Sequence, residues 1–223
     1  MEKTEVTEAL KLVKENSQKR NFKQSIELIV NLKDINLKIP EHQVNLFVQL
    51  HYSKGKDSKV CALVGPELLE QAKSVCDNAI PVDEFKTYAD KKKAKKLANE
   101  YDFFVAQATV MPKVATSFGR VFGPRGKMPN PKAGCVVPPN ANLKPLQEKL
   151  KKTIRIATRN DAIIQCSVGK EDMKDEEVID NILTVYNSLM HALPNEIHNI
   201  KNVYMKTTMG KPIKVGKKTK EKK

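Results

Sequence analysis

Apolar and polar residues alternate with a period of two near the start of the chain. Between residues 22 and 32 the even positions are apolar apart from Gln24, and the odd positions include Ser25 and Glu27. Residues 44–50 alternate in the same way. Since successive side chains of a strand point to opposite faces, both segments are predicted to be strands with one buried face.

Apolar residues at helical spacing flank these strands. Val6, Leu10 and Val13 form one stripe before the first strand. A longer helix is predicted to begin near Asp172 and to end at Pro194, with a stripe of Val178, Ile182, Val185, Leu189 and Leu193.

Alternation returns in the C-terminal third. Residues 154–156 and 163–168 alternate on either side of the turn residues 159–161, which predicts a β-hairpin. Residues 203–205 and 213–215 are predicted to complete the strands of this part. Together with the N-terminal segments they indicate an α+β structure with an antiparallel sheet.

The middle of the chain has another pattern. Residues 60–64 and 103–106 are continuous apolar runs, typical of strands buried on both faces. Pro66 suits the first turn of a helix, a short apolar piece follows at 79–82, and a lysine-rich helix is predicted for 90–99. Strands that alternate with helices indicate a parallel, Rossmann-like α/β unit.

The two patterns together predict two domains. Residues 1–57 and 152–223 form a discontinuous α+β domain with an antiparallel sheet and helices, and residues 58–151 form an inserted Rossmann-like, three-layer α/β domain. Residues 119–139 contain four glycines and five prolines without a regular period, so we expect a structured loop or an extended segment there.

The distribution of charge along the chain indicates a class of partner. The chain has 40 Lys and Arg against 26 Asp and Glu, a net charge of +14. Residues 206–223 contain eight lysines and one acid, and residues 113–132 contain five bases and no acid. Such segments repel themselves unless an anion compensates them, which favours a nucleic-acid partner. The lysine block at 91–96 is better explained as a solvated helix face.

The sequence lacks the features that define several classes of protein. No apolar run is long enough for a membrane helix, residues 1–14 lack the apolar region from which a secretory signal would be expected, and the four single cysteines fit a reducing cytoplasm. The four histidines are scattered, so no metal site is expected. Gly126-Lys127 lacks the P-loop partners, because Val121 and Met128 occupy their positions. We therefore expect neither cofactor nor catalysis.

An RNA-binding protein with only 5% aromatic residues must rely on phosphates, 2′-hydroxyls and shape. Residues 207–212, with two threonines, a methionine and a glycine, could serve such recognition, although a plain turn explains them equally well. In the acid-free middle segment two interpretations stay open, RNA contact or a purely structural role. The side chains concerned are Lys113, Arg120, Arg125, Lys127 and Lys132.

Two long motifs carry a family resemblance. Residues 110–113 (VMPK) and 119–134 (GRVFGPRGKMPNPKAG) resemble the signature of the ribosomal protein L-one family, the universal protein of the mobile lateral stalk of the large ribosomal subunit. The resemblance extends through residues 22–27, 154–170 and 207–210. A short turn before Val168 and Gln165 in place of a histidine distinguish the chain from bacterial members and indicate the archaeal type.

The resemblance implies a function without catalysis. It implies a cytoplasmic, ribosomal protein, monomeric when free, that binds large-subunit rRNA, represses translation by binding its own mRNA, and contacts deacylated tRNA leaving the exit site. The alternatives are an RNA-processing or RNA-modifying enzyme and a DNA-binding architectural protein. The contact residues that the resemblance implies are Phe22, Ser25, Glu27, Arg155, Gln165, Ser167, Lys170, Thr207, Thr208, Met209 and Gly210.

Overall fold

The computed structural model describes residues 1–39, 42–158 and 161–216. They form two compact units, one of Met1–Lys56 with the chain from Thr153 onward, and one of Asp57–Lys152. The turn residues Arg159 and Asn160 and the tail after Gly216, both part of the sequence predictions, lie outside the described residues.

Ten strands and six α-helices make up the described chain. The helices are α1 (Lys3–Glu15), α2 (Pro66–Val75), α3 (Lys91–Glu100), α4 (Met111–Arg125), α5 (Leu143–Lys151) and α6 (Asp175–Ala192). The strands are β1 (Ser25–Leu32), β2 (Asn45–Gln49), β3 (Val60–Val64), β4 (Asn78–Pro81), β5 (Phe103–Gln107), β6 (Val136–Val137), β7 (Thr153–Ala157), β8 (Ile163–Lys170), β9 (Ile200–Thr207) and β10 (Ile213–Lys214).

The discontinuous unit contains a four-stranded antiparallel sheet in the order β10-β9-β1-β8. The even residues of β1, from Ile26 to Leu32, are buried with the apolar stripes of α1 and α6 in one core. The odd residues, beginning with Ser25 and Glu27, lie on the opposite face and are half-buried. The alternation in the sequence therefore identifies the core face of β1 correctly.

The predicted hairpin of residues 154–168 is wrong. β7 pairs with β2 in a separate two-stranded sheet, whereas β8 pairs with β1. β2 offers β7 a matching apolar face, since Ile156 lies opposite Leu46 and Ile154 opposite Val48. Proximity in sequence is a weaker determinant of pairing here than the burial of these cross-strand pairs.

The second unit has a parallel sheet in the order β4-β3-β5-β6. All five residues of β3 are buried, as a strand covered on both faces requires. Cys61 and Leu63 join the cluster formed by α3 and α4, which includes Phe104, Phe118 and Phe122. The predicted combination of an antiparallel α+β part with a Rossmann-like parallel part is confirmed.

The irregular segment predicted for residues 119–139 is wrong for its first third, whereas residues 126–139 contain only a short turn of 3-10 helix and the two residues of β6. The first third, as far as Arg125, is the C-terminal half of α4, and Gly126 ends the helix with a left-handed φ of 64°. Val114, Phe118 and Phe122 are fully buried at helical spacing and drive the helix. Gly119 and Gly123 face open space, and Pro124 lies in the last turn. The glycines and the proline suggested a loop in the sequence, but they do not prevent the apolar residues at helical spacing from forming a helix.

Candidate nucleic-acid interface

Five of the eleven predicted contact residues share one face of the four-stranded sheet. Ser25 lies opposite Lys170, and Glu27 lies opposite Ser167. Gln165 lies opposite Ile29 and is exposed. Neither helix of the unit covers the face at these positions, because both helices belong to the core on the other side. The sheet thus brings together side chains that are up to 145 residues apart in sequence.

A β-bulge sets which residues of β8 share this face. The register of β1 and β8 shifts between Ile26 and Glu27, where Val168 is left without a partner and is fully buried. Without this extra residue, Ser167 and Lys170 could not both face outward with Ser25 and Glu27, because strand side chains alternate.

Strands β9 and β10 add residues to this face that were not among the predicted contacts. Tyr204 lies opposite Ile29, and Lys206 lies opposite Glu27. Lys214 of β10 lies opposite Tyr204. The Lys206 ammonium is 3.8 Å from a carboxylate oxygen of Glu27, so it offsets the negative charge of Glu27. The face is consequently suited to a polyanion despite the presence of Glu27.

The turn that follows β9 closes one end of the face. The Thr208 hydroxyl accepts a hydrogen bond from the Ser25 N–H at 3.0 Å, which fastens the turn to the start of β1. The Gly210 N–H donates to the Thr207 carbonyl at 3.1 Å. Met209, at the tip, has 61% of its surface exposed, and Phe22 before β1 has 50% exposed. Two apolar side chains are therefore presented to solvent at this end.

Thr207 and Gly210 shape the turn from inside. The Thr207 side chain is buried, and its hydroxyl lies 3.2 Å from that of Ser17. A Cβ on residue 210 would lie 2.3 Å from the Thr207 hydroxyl oxygen, so only glycine fits without displacing Thr207. We therefore assign Thr207 a supporting role, whereas Thr208 and Met209 lie closer to the surface.

Lys23 is held by an acidic neighbour next to this turn. Its ammonium lies 2.6 Å from a carboxylate oxygen of Asp172. The hydrogen bond between them raises the pKa of Lys23 and lowers the pKa of Asp172. Both groups therefore stay charged near neutral pH, and the positive charge of Lys23 is balanced within the protein.

Arg155 is not on the four-stranded sheet. It lies on β7, opposite Phe47 of β2, and its guanidinium carbon is 5.9 Å from the centre of the Phe47 ring. Its Nε donates to the Asn45 carboxamide oxygen at 3.1 Å. Arg155 therefore belongs to a different sheet from the predicted contact residues on β1 and β8.

The basic side chains of the second unit divide into two groups. The Lys127 ammonium donates to the carbonyls of Ala98 and Tyr101, at 2.7 and 2.6 Å, and Arg125 contacts Asn99. Both cations thereby satisfy carbonyls and polar groups at the C-terminal end of α3, where a positive charge is favourable. The other three predicted side chains, Lys113, Arg120 and Lys132, are exposed.

Comparison with known proteins decides the family. A model of the Ribosomal protein L1p/L10e family matches residues 12–211. The chain belongs to this family. The resemblance noted in the sequence motifs is thereby confirmed.

Several curated relatives match over nearly the whole chain. The large ribosomal subunit protein uL1 of Pyrococcus abyssi is 43% identical over 216 residues, which cover 96% of each chain. The uL1 proteins of Methanothermococcus thermolithotrophicus and Methanocaldococcus jannaschii are 40% and 39% identical and are covered completely. These relatives agree with the archaeal type that the short turn indicated.

In the Rossmann-like part of this L1-family chain, a side chain of the protein itself lies at the usual ligand position. Open α/β sheets bind ligands at the carboxyl ends of the strands where the chain order reverses, here β3 and β5. The buried Gln107 side chain lies at this place. Its oxygen accepts from the Gly65 N–H at 2.9 Å, and its nitrogen donates to Glu67 at 3.0 Å. The protein's own carboxamide thus occupies the start of α2.

L1-family members are ribosomal structural proteins and not enzymes. Within the described part of the chain, no helix could span a membrane and no group of three His, Cys, Asp or Glu side chains could hold a metal ion.

The four thiols of this family member are expected to react slowly. Burial raises the pKa of Cys76 and of Cys135 to about 11 and that of Cys166 to about 12, and it raises the pKa of Cys61 as well. At about pH 8 the reactive thiolate is therefore scarce in the folded protein. Alkylation followed by mass spectrometry should be slow until denaturant is added; one fast native thiol would contradict this.

Proposed function

We propose that the protein is a structural component of the large subunit of cytoplasmic ribosomes and that its discontinuous unit binds large-subunit rRNA. The observation that carries the proposal is the convergence of the β1 and β8 contact residues with the Thr207–Gly210 turn on one face of the four-stranded sheet. Names of relatives that match the whole chain support the ribosomal assignment.

The chemistry of the face suits folded RNA. Met209 and Phe22 can cover a ribose or a base, and the hydroxyls of Ser25 and Ser167 can reach sugar and phosphate oxygens. Lys170 provides charge for phosphates. Since Thr208 and Ser25 hold each other, the turn is ordered before RNA arrives, and less conformational entropy is lost on binding.

Large-subunit binding is tested by sedimentation and crosslinking. The protein should sediment with large subunits and crosslink to the stalk rRNA. In filter binding at physiological salt, a fragment of that rRNA should compete better than an unrelated hairpin or duplex DNA. Equal competition by the hairpin overturns the assignment, preference for DNA supports the architectural alternative, and turnover of labelled rRNA supports the RNA-processing or RNA-modifying enzyme.

We further propose that the same face binds the protein's own mRNA and represses its translation, and that the protein contacts deacylated tRNA at the exit site. The family resemblance supports both roles. One face cannot hold two RNAs at once, so the stalk rRNA fragment should displace the mRNA leader. Simultaneous binding of both RNAs to one molecule contradicts the shared site.

Exposed cations of the second unit are proposed to contact RNA phosphates. Replacing Arg120 by Gln should reduce the slope of log affinity against log salt, by about 0.7–0.9 for each phosphate that the arginine neutralises. Lys127→Gln is the matched control: it should lower the free energy of unfolding and leave the slope unchanged, because the Lys127 ammonium is bound to carbonyls of its own unit. An unchanged slope for Arg120→Gln with both rRNA and tRNA refutes the proposed role of Arg120.

A further inference from the structure

One buried side-chain amide connects three segments beside the Met209 turn. Gln24 is only 1% exposed and directly precedes β1. Its Oε1 accepts from the Met209 N–H at 3.1 Å. Its Nε2 donates to the Ser17 hydroxyl and to the Gln18 carbonyl, both at 3.0 Å. A single carboxamide thus joins the turn after β9 to the chain that leaves α1.

Both polar atoms of the Gln24 side chain are hydrogen-bonded. Both N–H groups of the amide and its oxygen have partners, and these partners determine its orientation. Its backbone is held as well, because the Gln24 N–H donates to a Glu171 carboxylate oxygen at 3.1 Å and the Gln24 carbonyl accepts from the Glu171 N–H at 3.0 Å. Because both the side chain and the backbone of Gln24 are held, Gln24 restrains the positions of its hydrogen-bond partners.

The connection continues to the inner side of the turn. Ser17, which accepts from Gln24, lies 3.2 Å from the Thr207 hydroxyl, and that hydroxyl sits beneath Gly210. The turn is thus fixed at its tip through the Met209 N–H and at its base through Thr207. The Met209 side chain remains exposed.

We propose that Gln24 is a positioning residue for RNA binding, which acts by fixing the Met209 turn in its RNA-binding conformation and does not touch RNA itself. The inference rests on the proposed rRNA-binding function. It assigns a role in recognition to a buried residue outside the exposed face, and it brings the Ser17–Gln18 segment into the support of the site.

A double-mutant cycle with a stalk rRNA fragment tests the role. Gln24→Met keeps the length of the side chain but removes its hydrogen bonds, and it should weaken binding about tenfold. Met209→Ala removes the side chain that Gln24 positions. In the Met209→Ala background the additional loss from Gln24→Met should fall below about threefold, because residues that act as a unit are not additive. The salt dependence should stay that of the wild type, since no charge is removed.

Asn181→Leu is the matched control. Asn181 is another fully buried amide of the same unit, and it bonds Tyr52 and the Val168 carbonyl. Asn181→Leu should lower the melting temperature. It should change the RNA affinity by the same factor in the wild-type and in the Met209→Ala background. If the losses of RNA affinity caused by Gln24→Met and Met209→Ala are also additive, Gln24 is only structural and the inference is wrong.

Two further results are decisive. If Gln24→Met does not fold, Ser17→Ala takes its place in the cycle, with an expected loss of about threefold that again disappears in the Met209→Ala background. If wild-type protein itself does not prefer the stalk rRNA fragment, the proposed function fails. If the wild type binds and Met209→Ala weakens binding but neither Gln24→Met nor Ser17→Ala does, this inference alone fails.

Discussion

Met209→Asp is expected to reduce the affinity for the stalk rRNA fragment by about 100-fold or more, since it replaces an apolar contact by a like charge beside phosphates. The residue lies at the tip of the turn with 61% of its surface exposed, so the change should leave the unfolding free energy nearly unaltered. Filter binding gives the affinity, and thermal unfolding verifies that the variant is folded.

Ile197→Asp provides the control for this variant. Ile197 is also an exposed apolar residue of the discontinuous unit, with 52% of its surface accessible. Ile197 precedes β9, whereas Met209 follows β9. The eight residues of this strand extend over about 26 Å. The same added charge should there change the affinity less than about threefold. Equal losses in both variants would mean that charge alone, and not the Met209 turn, determines binding.

The face that β1 presents could be predicted from the sequence, because the period of two separates Ser25 and Glu27 from the buried residues. Its partners could not be derived from the residues alone. They depend on the register of β8 and on the bulge at Val168, and both are settled by long-range packing. Tyr204 and Lys206 were missed for the same reason, since nothing local aligns β9 with β1.

Helix α4 and its cations show a different limit. Glycine and proline are strong local signals for turns, and they outweighed the correctly spaced Val114, Phe118 and Phe122 in our prediction. The structural role of Lys127 depends on the end of α3, 26 residues earlier, so no local pattern could separate it from the exposed Arg120.

Gln24 did leave a signal in the sequence. It occupies an even position of the alternating segment, where the other residues from Ile26 to Leu32 are apolar and buried. A polar side chain at an inward position must find hydrogen-bond partners in the interior. The sequence therefore indicates a buried polar contact at Gln24, while its partners after α1 and on the β9 turn require the fold.

Phe122→Ala is expected to destabilise the second unit by about 3–5 kcal/mol, because it leaves a cavity in an aromatic core. The Phe122 ring is fully buried, with its centre 4.2 Å from that of Phe104 and 5.0 Å from that of Phe118. Hydrogen exchange of the β3 and β5 amides should accelerate accordingly. At temperatures where the unit stays folded, affinity for the stalk rRNA fragment should change less than about threefold.

Phe22→Ala makes the opposite comparison within the same residue type. Half of the Phe22 surface is exposed, and Phe22 lies two residues before Gln24, which bonds the Met209 N–H; its removal should therefore weaken RNA binding about tenfold and cost little stability. One phenylalanine then acts on binding and the other on folding. Phe122 packs as an ordinary core residue of the second unit. If Phe122→Ala weakened RNA binding as much as Phe22→Ala while the protein stayed folded, RNA recognition could not belong to the discontinuous unit alone.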